Sequence, residues 1–266
     1  MLLEMTASMA RARVLATGES DVGMKRNHNE DNFVVIDEDH LYVVADGMGG
    51  HASGEVASQM CIDTLREFFR ATSADPEATW PYKMDKSRGY EENRLITSIK
   101  LANLRIFEAA QRDPKLRGMG TTVVGILVVD DGVLIAHVGD SRVYRLRDGR
   151  LEQLTEDHSL LNDYIKMKRL SEEEIANFPH KNVIVRALGM KETVKVDTQL
   201  DKPQPGDIYV LCSDGLCGPA SDEEIREIVS QYSDLKTASQ KLIERANEKG
   251  GPDNITVVLA KVMGIG

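Results

Sequence analysis

Five apolar residues, Leu41 to Ala45, stop at Asp46 and pass directly into Gly47-Met48-Gly49-Gly50-His51. The run reads as a buried strand. Glycine-rich backbone then allows a turn tight enough to leave one carboxylate at the exposed strand end. The arrangement recurs where Ile208 to Cys212 meets Ser213-Asp214-Gly215. A third acidic point, Asp253, lies in Gly250-Gly251-Pro252-Asp253-Asn254, just before an apolar run that starts at Ile255. Three aspartates at strand ends beside glycine read as a preorganised metal site, with the rest of the chain as scaffold and cover.

The totals bound the partners. At 266 residues the chain can bury an adequate core as one large domain or two small ones. A net charge of -10, spread along the chain, argues against nucleic acid, whose phosphates need a basic face, and against an anionic membrane surface. The stretch Met1 to Arg13 carries Glu4 and no long apolar segment, so neither a signal peptide nor a membrane anchor is expected, and the expected location is cytoplasmic. Cys61, Cys212 and Cys217 have no ligand spacing and read as reduced thiols that fill core.

Along the chain, residues 1–12 are expected to be a flexible tail and 13–264 a single domain. Strands are expected at Val14 to Asp21, Phe33 to Ile36 and Leu41 to Ala45. The turn Asp37-Glu38-Asp39-His40 reads as a solvated hairpin tip. Helices follow at Ser53 to Arg70 and Glu91 to Gln111, separated by an irregular excursion, Ala71 to Gly89. A strand meander occupies Thr121 to Leu146. Ser159 to Asn177 reads as a polar helical cover, and further strands are expected at Val183 to Leu188, Val194 to Leu200 and Asp207 to Cys212. Two helices and a last strand from Ile255 end the pattern. Antiparallel hairpins with helices segregated outside predict an α+β fold: two packed, mainly antiparallel sheets flanked by helical layers.

Asp46, Asp214 and Asp253 are hard oxygen donors, and that donor set selects Mg²⁺ or Mn²⁺ over zinc or copper. Two such ions bring four positive charges against three carboxylates, so the site stays positive and attracts a phosphate dianion. Gly47 offers a backbone carbonyl with no side chain in the way, and Glu30 suits a supporting acceptor that orients waters. Arg26, four residues before Glu30, has the fork geometry of a phosphate clamp; pairing with Glu30 or Asp31 at the surface is the equal alternative. Asp140 alone reads as a turn aspartate. His51 reads as a proton shuttle or a helix cap, and His137 as a packed histidine.

Arg26-Asn27-His28-Asn29-Glu30-Asp31, Val44 to His51, Gly118-Met119-Gly120-Thr121-Thr122, His137 to Arg142, Arg186-Ala187-Leu188-Gly189, Leu211 to Leu216 and Gly251 to Thr256 occur in one order. Together they resemble the metal-dependent protein phosphatases, the PPM or type 2C serine/threonine phosphatases, in their bacterial branch. The resemblance runs from about Thr17 to Val262. It implies a four-layer α/β/β/α sandwich whose two sheets are flanked by helix pairs. It implies hydrolysis of phosphomonoesters by a metal-activated water at a binuclear Mg²⁺ or Mn²⁺ centre. Asp46, Asp214, Asp253 and the Gly47 carbonyl would be the ligands, Arg26 the clamp, and Glu30 and Asp31 the water-organising acceptors. Asp140 falls where bacterial members bind a third ion together with Asp214, and about 155–181 falls on the flap. Met48 stands where eukaryotic members carry a histidine, so the proton donor is unassigned between a water at the third-ion position and His51. The implied partners are phosphorylated proteins, substrates of bacterial Ser/Thr kinases or the kinases themselves, met by a monomer. Two rival readings are a non-catalytic phosphoprotein-binding regulator on the same fold and a small-molecule phosphoesterase.

Overall fold

Strand alternation explains the architecture. In the computed structural model, which describes residues 11–49, 53–75, 77–168, 174–175, 178 and 183–265, the run Leu41 to Ala45 is buried on both faces. Leu41, Val43 and Ala45 point into one core, with Ala57, Leu65, Leu95 and Ile99 of two helices. Tyr42 and Val44 point into another, with Val124, Tyr209, Leu211 and Val258. A strand covered on both sides has no polar face to show, which is why the run is continuous instead of alternating.

The first sheet orders β1 (Ala12–Asp21), β11 (Ile255–Ile265), β10 (Ile208–Cys212), β7 (Arg142–Arg147) and β8 (Arg150–Gln153). The second orders β2 (Asp31–Ile36), β3 (Leu41–Met48), β5 (Val123–Val129), β6 (Gly132–Val138) and β9 (Asp197–Asp201), with β4 (Gly120–Thr121) paired to the end of β3. Neighbouring strands are antiparallel throughout. Helices α1 (Ser53–Ala74) and α2 (Tyr90–Arg112) cover the second sheet. The four-residue α4 (Asp214–Cys217), α5 (Asp222–Gln231) and α6 (Leu235–Glu248) cover the first. Helix α3 (Leu160–Lys168) follows β8. The expected four layers are therefore present, with one apolar core between the sheets and one beneath each helical layer. Each large side chain fully buried in these layers contributes roughly 1.5–3 kcal/mol.

Local signals set the helix starts. Ser221 and Glu224 form a reciprocal capping box at α5, and the Asp234 carboxylate accepts from the Thr237 amide at α6. β1 pairs with β11 from Ala12↔Ile265 to Asp21↔Ile255, which brings the two ends of the fold together. Residues 1–10 of the expected tail lie outside the described residues.

One expectation fails and one holds only in part. Val183 to Leu188 is not a strand: only isolated bridges form, Ser159 to Ile184 and Thr121 to Leu188. Val183 and Val185 are 43% and 40% exposed, so their β-branched side chains have no sheet surface to pack on, and propensity alone does not make a strand. The acidic hairpin tip is solvated at Asp37 and Glu38, as expected, but Asp39 turns inward. Asp39 accepts from the Arg94 Nη2 at 3.1 Å and from the Ser73 hydroxyl. Arg94 is buried between α1 and α2 and also donates to the Phe69 carbonyl and the Thr72 hydroxyl. A guanidinium taken out of water needs every acceptor it can reach, and Asp39 and Glu91 supply the charged ones. Within the excursion after α1, Trp80 packs on the Phe68 and Tyr90 rings.

Candidate active site

β3 does not end at Ala45. It continues through Asp46 and Gly47 to Met48, because both residues find partners on either side. Asp46 pairs in register with Asp31 of β2, and Gly47 with Thr121 of β4. The Asp46 carbonyl accepts from the Thr122 amide (2.8 Å) and the Thr121 hydroxyl (2.9 Å), while its amide donates to the Thr122 hydroxyl (3.1 Å). Alternation puts Asp46 on the same face as Tyr42 and Val44, so its carboxylate sits at the end of the sandwich, between the two sheets. At Gly47 a Cβ would lie 2.2 Å from the Gly54 carbonyl oxygen and 2.4 Å from that of Glu30. Only glycine lets the loop before β2 and the start of α1 close on this strand.

Asp31 ties the sheets together. Its carboxylate is buried and accepts from the Ser213 hydroxyl at 2.8 Å and the Thr256 hydroxyl at 2.7 Å, both on the first sheet's side. Ser213 precedes Asp214 at the start of α4. A Cβ on Gly215 would come within 1.8 Å of the Asn254 carbonyl oxygen, so this glycine sets how closely the Asp214 and Asp253 segments approach. The Asn254 amide group holds the next layer: Oδ1 accepts from the Glu30 amide, and Nδ2 donates to the Val22 and His28 carbonyls. Arg26 donates to Asp253 at 2.6 Å, so it forms neither of the local pairs with Glu30 or Asp31. Its guanidinium is half exposed at the rim.

The carboxylates feel one another. Asp46 is raised well above the usual carboxylate range by burial first, then by Asp31, Asp214, Asp140 and Asp253. Burial lifts Asp31 to about 6, against the two hydroxyl donors, with Asp214 and Asp253 adding to the rise. Burial and then Asp214 lift Asp140 to about 7, and burial with Asp253 raises Asp214. Asp140 Oδ1 is buried with no hydrogen-bond partner among the described residues. Crowded carboxylates of raised pKa, one with an unmatched buried oxygen, are a poor resting arrangement for protein alone and a good one for hard divalent cations. The residues fit the implied ions.

The five sequence-predicted aspartates therefore come together, with Glu30 beside Asp31 and Arg26 at the rim. His51 lies outside the described residues, as does much of the expected flap at 155–181. Five supporting residues were not singled out individually: Thr121, Thr122, Ser213, Asn254 and Thr256. For Ser213, Asn254 and Thr256 the signal is a hydroxyl or amide within three residues of a strand-end aspartate, and for Thr121 and Thr122 it is a threonine pair after glycine at the head of an apolar strand.

Next to Asp140 is a second polar cluster, in which ligand atoms of His137, His158 and Asp197 lie within 4.8 Å of one another. It does not suit a cation. His137 Nε2 is 2.8 Å from the Glu156 carbonyl, and His158 Nδ1 accepts from the Gly139 amide at 3.0 Å. Asp197 is held by Arg186 at 2.9 Å and Lys195 at 2.8 Å. Burial, then His137 and Arg186, push His158 down to about 4.

Comparisons with known proteins bear on the family and the fold. The family model described as protein phosphatase 2C matches residues 24–260. The serine/threonine phosphatase stp of Listeria monocytogenes is 39% identical over 249 residues, covering 91% of this chain and 93% of that protein. The crystal structure of the Mycobacterium tuberculosis serine/threonine phosphatase PstP/Ppp superposes with a TM-score of 0.81 at 37% identity, over 94% of this chain and 98% of that one. The catalytic domain of the serine/threonine protein phosphatase PstP in complex with two manganese ions gives a TM-score of 0.75 at 35% identity, over 93% and 97%.

Proposed function

The chain belongs to the protein phosphatase 2C family and is a metal-dependent serine/threonine phosphatase acting on phosphorylated proteins, and on that premise we propose that Asp46, Asp214, Asp253 and the Gly47 carbonyl hold two Mg²⁺ or Mn²⁺ ions. Asp140 and Asp214 take a third. When bound, the ions neutralise charge on the phosphoryl oxygens and acidify a water for in-line attack. The chain's own residues do the rest. Asp31 and Asn254 lock the three ligand-bearing segments in register, and Glu30 orients waters from its place beside Asp31. Arg26 reaches from the rim to grip two phosphate oxygens.

The observation that carries this reading is the convergence of five aspartates at one end of the sandwich, where Asp140 keeps a buried oxygen without a partner among the described residues. The catalytic unit spans 13–264, a reading supported by the pairing of β1 with β11. The substrates are targets of bacterial Ser/Thr kinases, and the kinases themselves. The enzyme acts as a cytoplasmic monomer; no helix among the described residues is long and apolar enough to cross a membrane.

Arg26→Ala tests the substrate grip. A charge-assisted hydrogen bond is worth about 1.5–3 kcal/mol, so KM for a phosphothreonine peptide should rise about tenfold to a hundredfold. Calorimetric Mn²⁺ affinity should stay within about threefold, since the guanidinium ligates nothing. An unchanged KM would reduce Arg26 to a partner of Asp253.

A further inference from the structure

His158 clasps the backbone just before Asp140 at two points. Its amide donates to the Gly139 carbonyl at 2.9 Å, and its Nδ1 accepts from the Gly139 amide at 3.0 Å. With Nδ1 serving as acceptor, the ring proton belongs on Nε2, which faces Asp197 Oδ2 at 3.0 Å. Arg186 Nη1 lies 2.9 Å from that same nitrogen and 2.9 Å from the same carboxylate oxygen. Two donors cannot bond each other, so the Arg186 bond is to Asp197, and the guanidinium beside the ring further disfavours an imidazolium. His137 stacks on the other face at 4.6 Å between ring centroids. The ring is therefore fixed in position, in tautomer and in charge.

From the opposite side Gly139, at a φ of 115°, is held by Thr122, whose side-chain carbons would lie 2.6 Å from a Cβ there. Thr122 is the residue that fixes the Asp46 backbone, and its hydroxyl also bonds Ser141 at 2.7 Å. The Gly139-Asp140 turn thus sits between the strand that carries Asp46 and the segment that opens the expected flap. Arg142 and Asp157 lock that segment to β7 with a two-pronged ion pair.

We propose that His158 is a positioning residue for Asp140: Asp197 and Arg186 fix its tautomer, and the ring in turn sets where the Asp140 carboxylate points. This rests on the reading of Asp140 as a ligand for the third ion. The chain Asp197–His158–Gly139 also makes the base of the flap and that ligand one mechanical unit.

Three variants of the full chain test it by calorimetric titration with Mn²⁺. His158→Phe keeps the stacked ring and removes the acceptor, whereas His158→Asn keeps an acceptor oxygen near the Nδ1 position. Supporting groups around metal ligands typically govern 10–100-fold in affinity, so the weakest Mn²⁺ step should weaken about that much in the Phe variant and recover most of it in the Asn variant. The tighter steps should hold in both. Imidazole ¹⁵N shifts of the wild type should report the neutral Nε2–H tautomer. The proposal falls if the Phe variant binds Mn²⁺ like the wild type and loses only thermal stability, or if the shifts report an Nδ1–H tautomer. Asp140→Asn separates the two levels: if it too leaves the weakest step intact, the third-ion reading fails and the positioning role fails with it, while the phosphatase reading stands on Asp46, Asp214 and Asp253.

Discussion

Asp46→Asn should lower kcat on a phosphothreonine peptide by about a thousandfold or more at saturating Mn²⁺. Metal-based stabilisation of phosphoryl charge is worth several kcal/mol, and each 1.36 kcal/mol is tenfold in rate. The side chain keeps its shape, and the bonds that hold this position run through the backbone to Thr121 and Thr122, so the strand should survive. Asp46 is also the residue on which four other carboxylates bear. Removing its charge should therefore raise the melting temperature of the metal-free protein while activity collapses, a trade common where a site stores repulsion for function. Phosphate release and thermal melts on the same preparation measure both. Retention of more than about a tenth of the wild-type kcat would remove Asp46 from the ligand set, since a direct metal ligand cannot be that dispensable.

Metal removal should leave a protein whose stability falls as pH rises from about 5 to about 7. Asp140 at about 7 and Asp31 at about 6, with Asp46 and Asp214 also raised, bind protons more tightly folded than unfolded. A carboxylate whose folded pKa is raised contributes stability below its unfolded value and loses it as pH climbs through the folded one. His158 works in the other direction. Its folded pKa of about 4 lies below the ordinary 6.5, so its contribution is complete above about pH 6.5 and declines as pH falls. His137, also lowered by burial, acts in the same direction as His158, and four raised carboxylates against these two imidazoles give a net loss toward neutral pH. Mn²⁺ at about pH 7.5 should reverse it, because a cation that binds only the folded state stabilises in proportion to the logarithm of its concentration over Kd. Melts in EDTA across that range, repeated with Mn²⁺, check both signs. A metal-free melting temperature that rises from about pH 5 to about pH 7 would contradict the repulsive cluster.

What the sequence made legible was local. The apolar run before Asp46, the Gly215 next to Asp214 and the Gly250-Gly251-Pro252 lead into Asp253 each announce a strand or turn within ten residues, and the structure keeps all three. What it hid was contact at long separation. Nothing near Arg26 points to Asp253, 227 positions away, and nothing near Asp39 points to Arg94. Nothing near Asp31 points to Ser213 and Thr256 either, whose hydroxyls both bond its Oδ2 from across the sandwich. The strand expected over Val183 to Leu188 failed for the same reason in reverse: its residues favour extended backbone, but a strand exists only where another lies beside it. His158 had no periodic or compositional mark at all, because its importance lies in a backbone amide nineteen residues earlier.

The most direct test of the account is phosphate release from a phosphothreonine peptide by the wild type in Mn²⁺ and in EDTA, with Asp214→Asn alongside. The account predicts turnover in Mn²⁺, none in EDTA, recovery when Mn²⁺ is restored, and loss in the variant with its weakened metal binding. Turnover that persists in EDTA after the ions are shown to be gone, or an Asp214→Asn enzyme as active as the wild type, would contradict it.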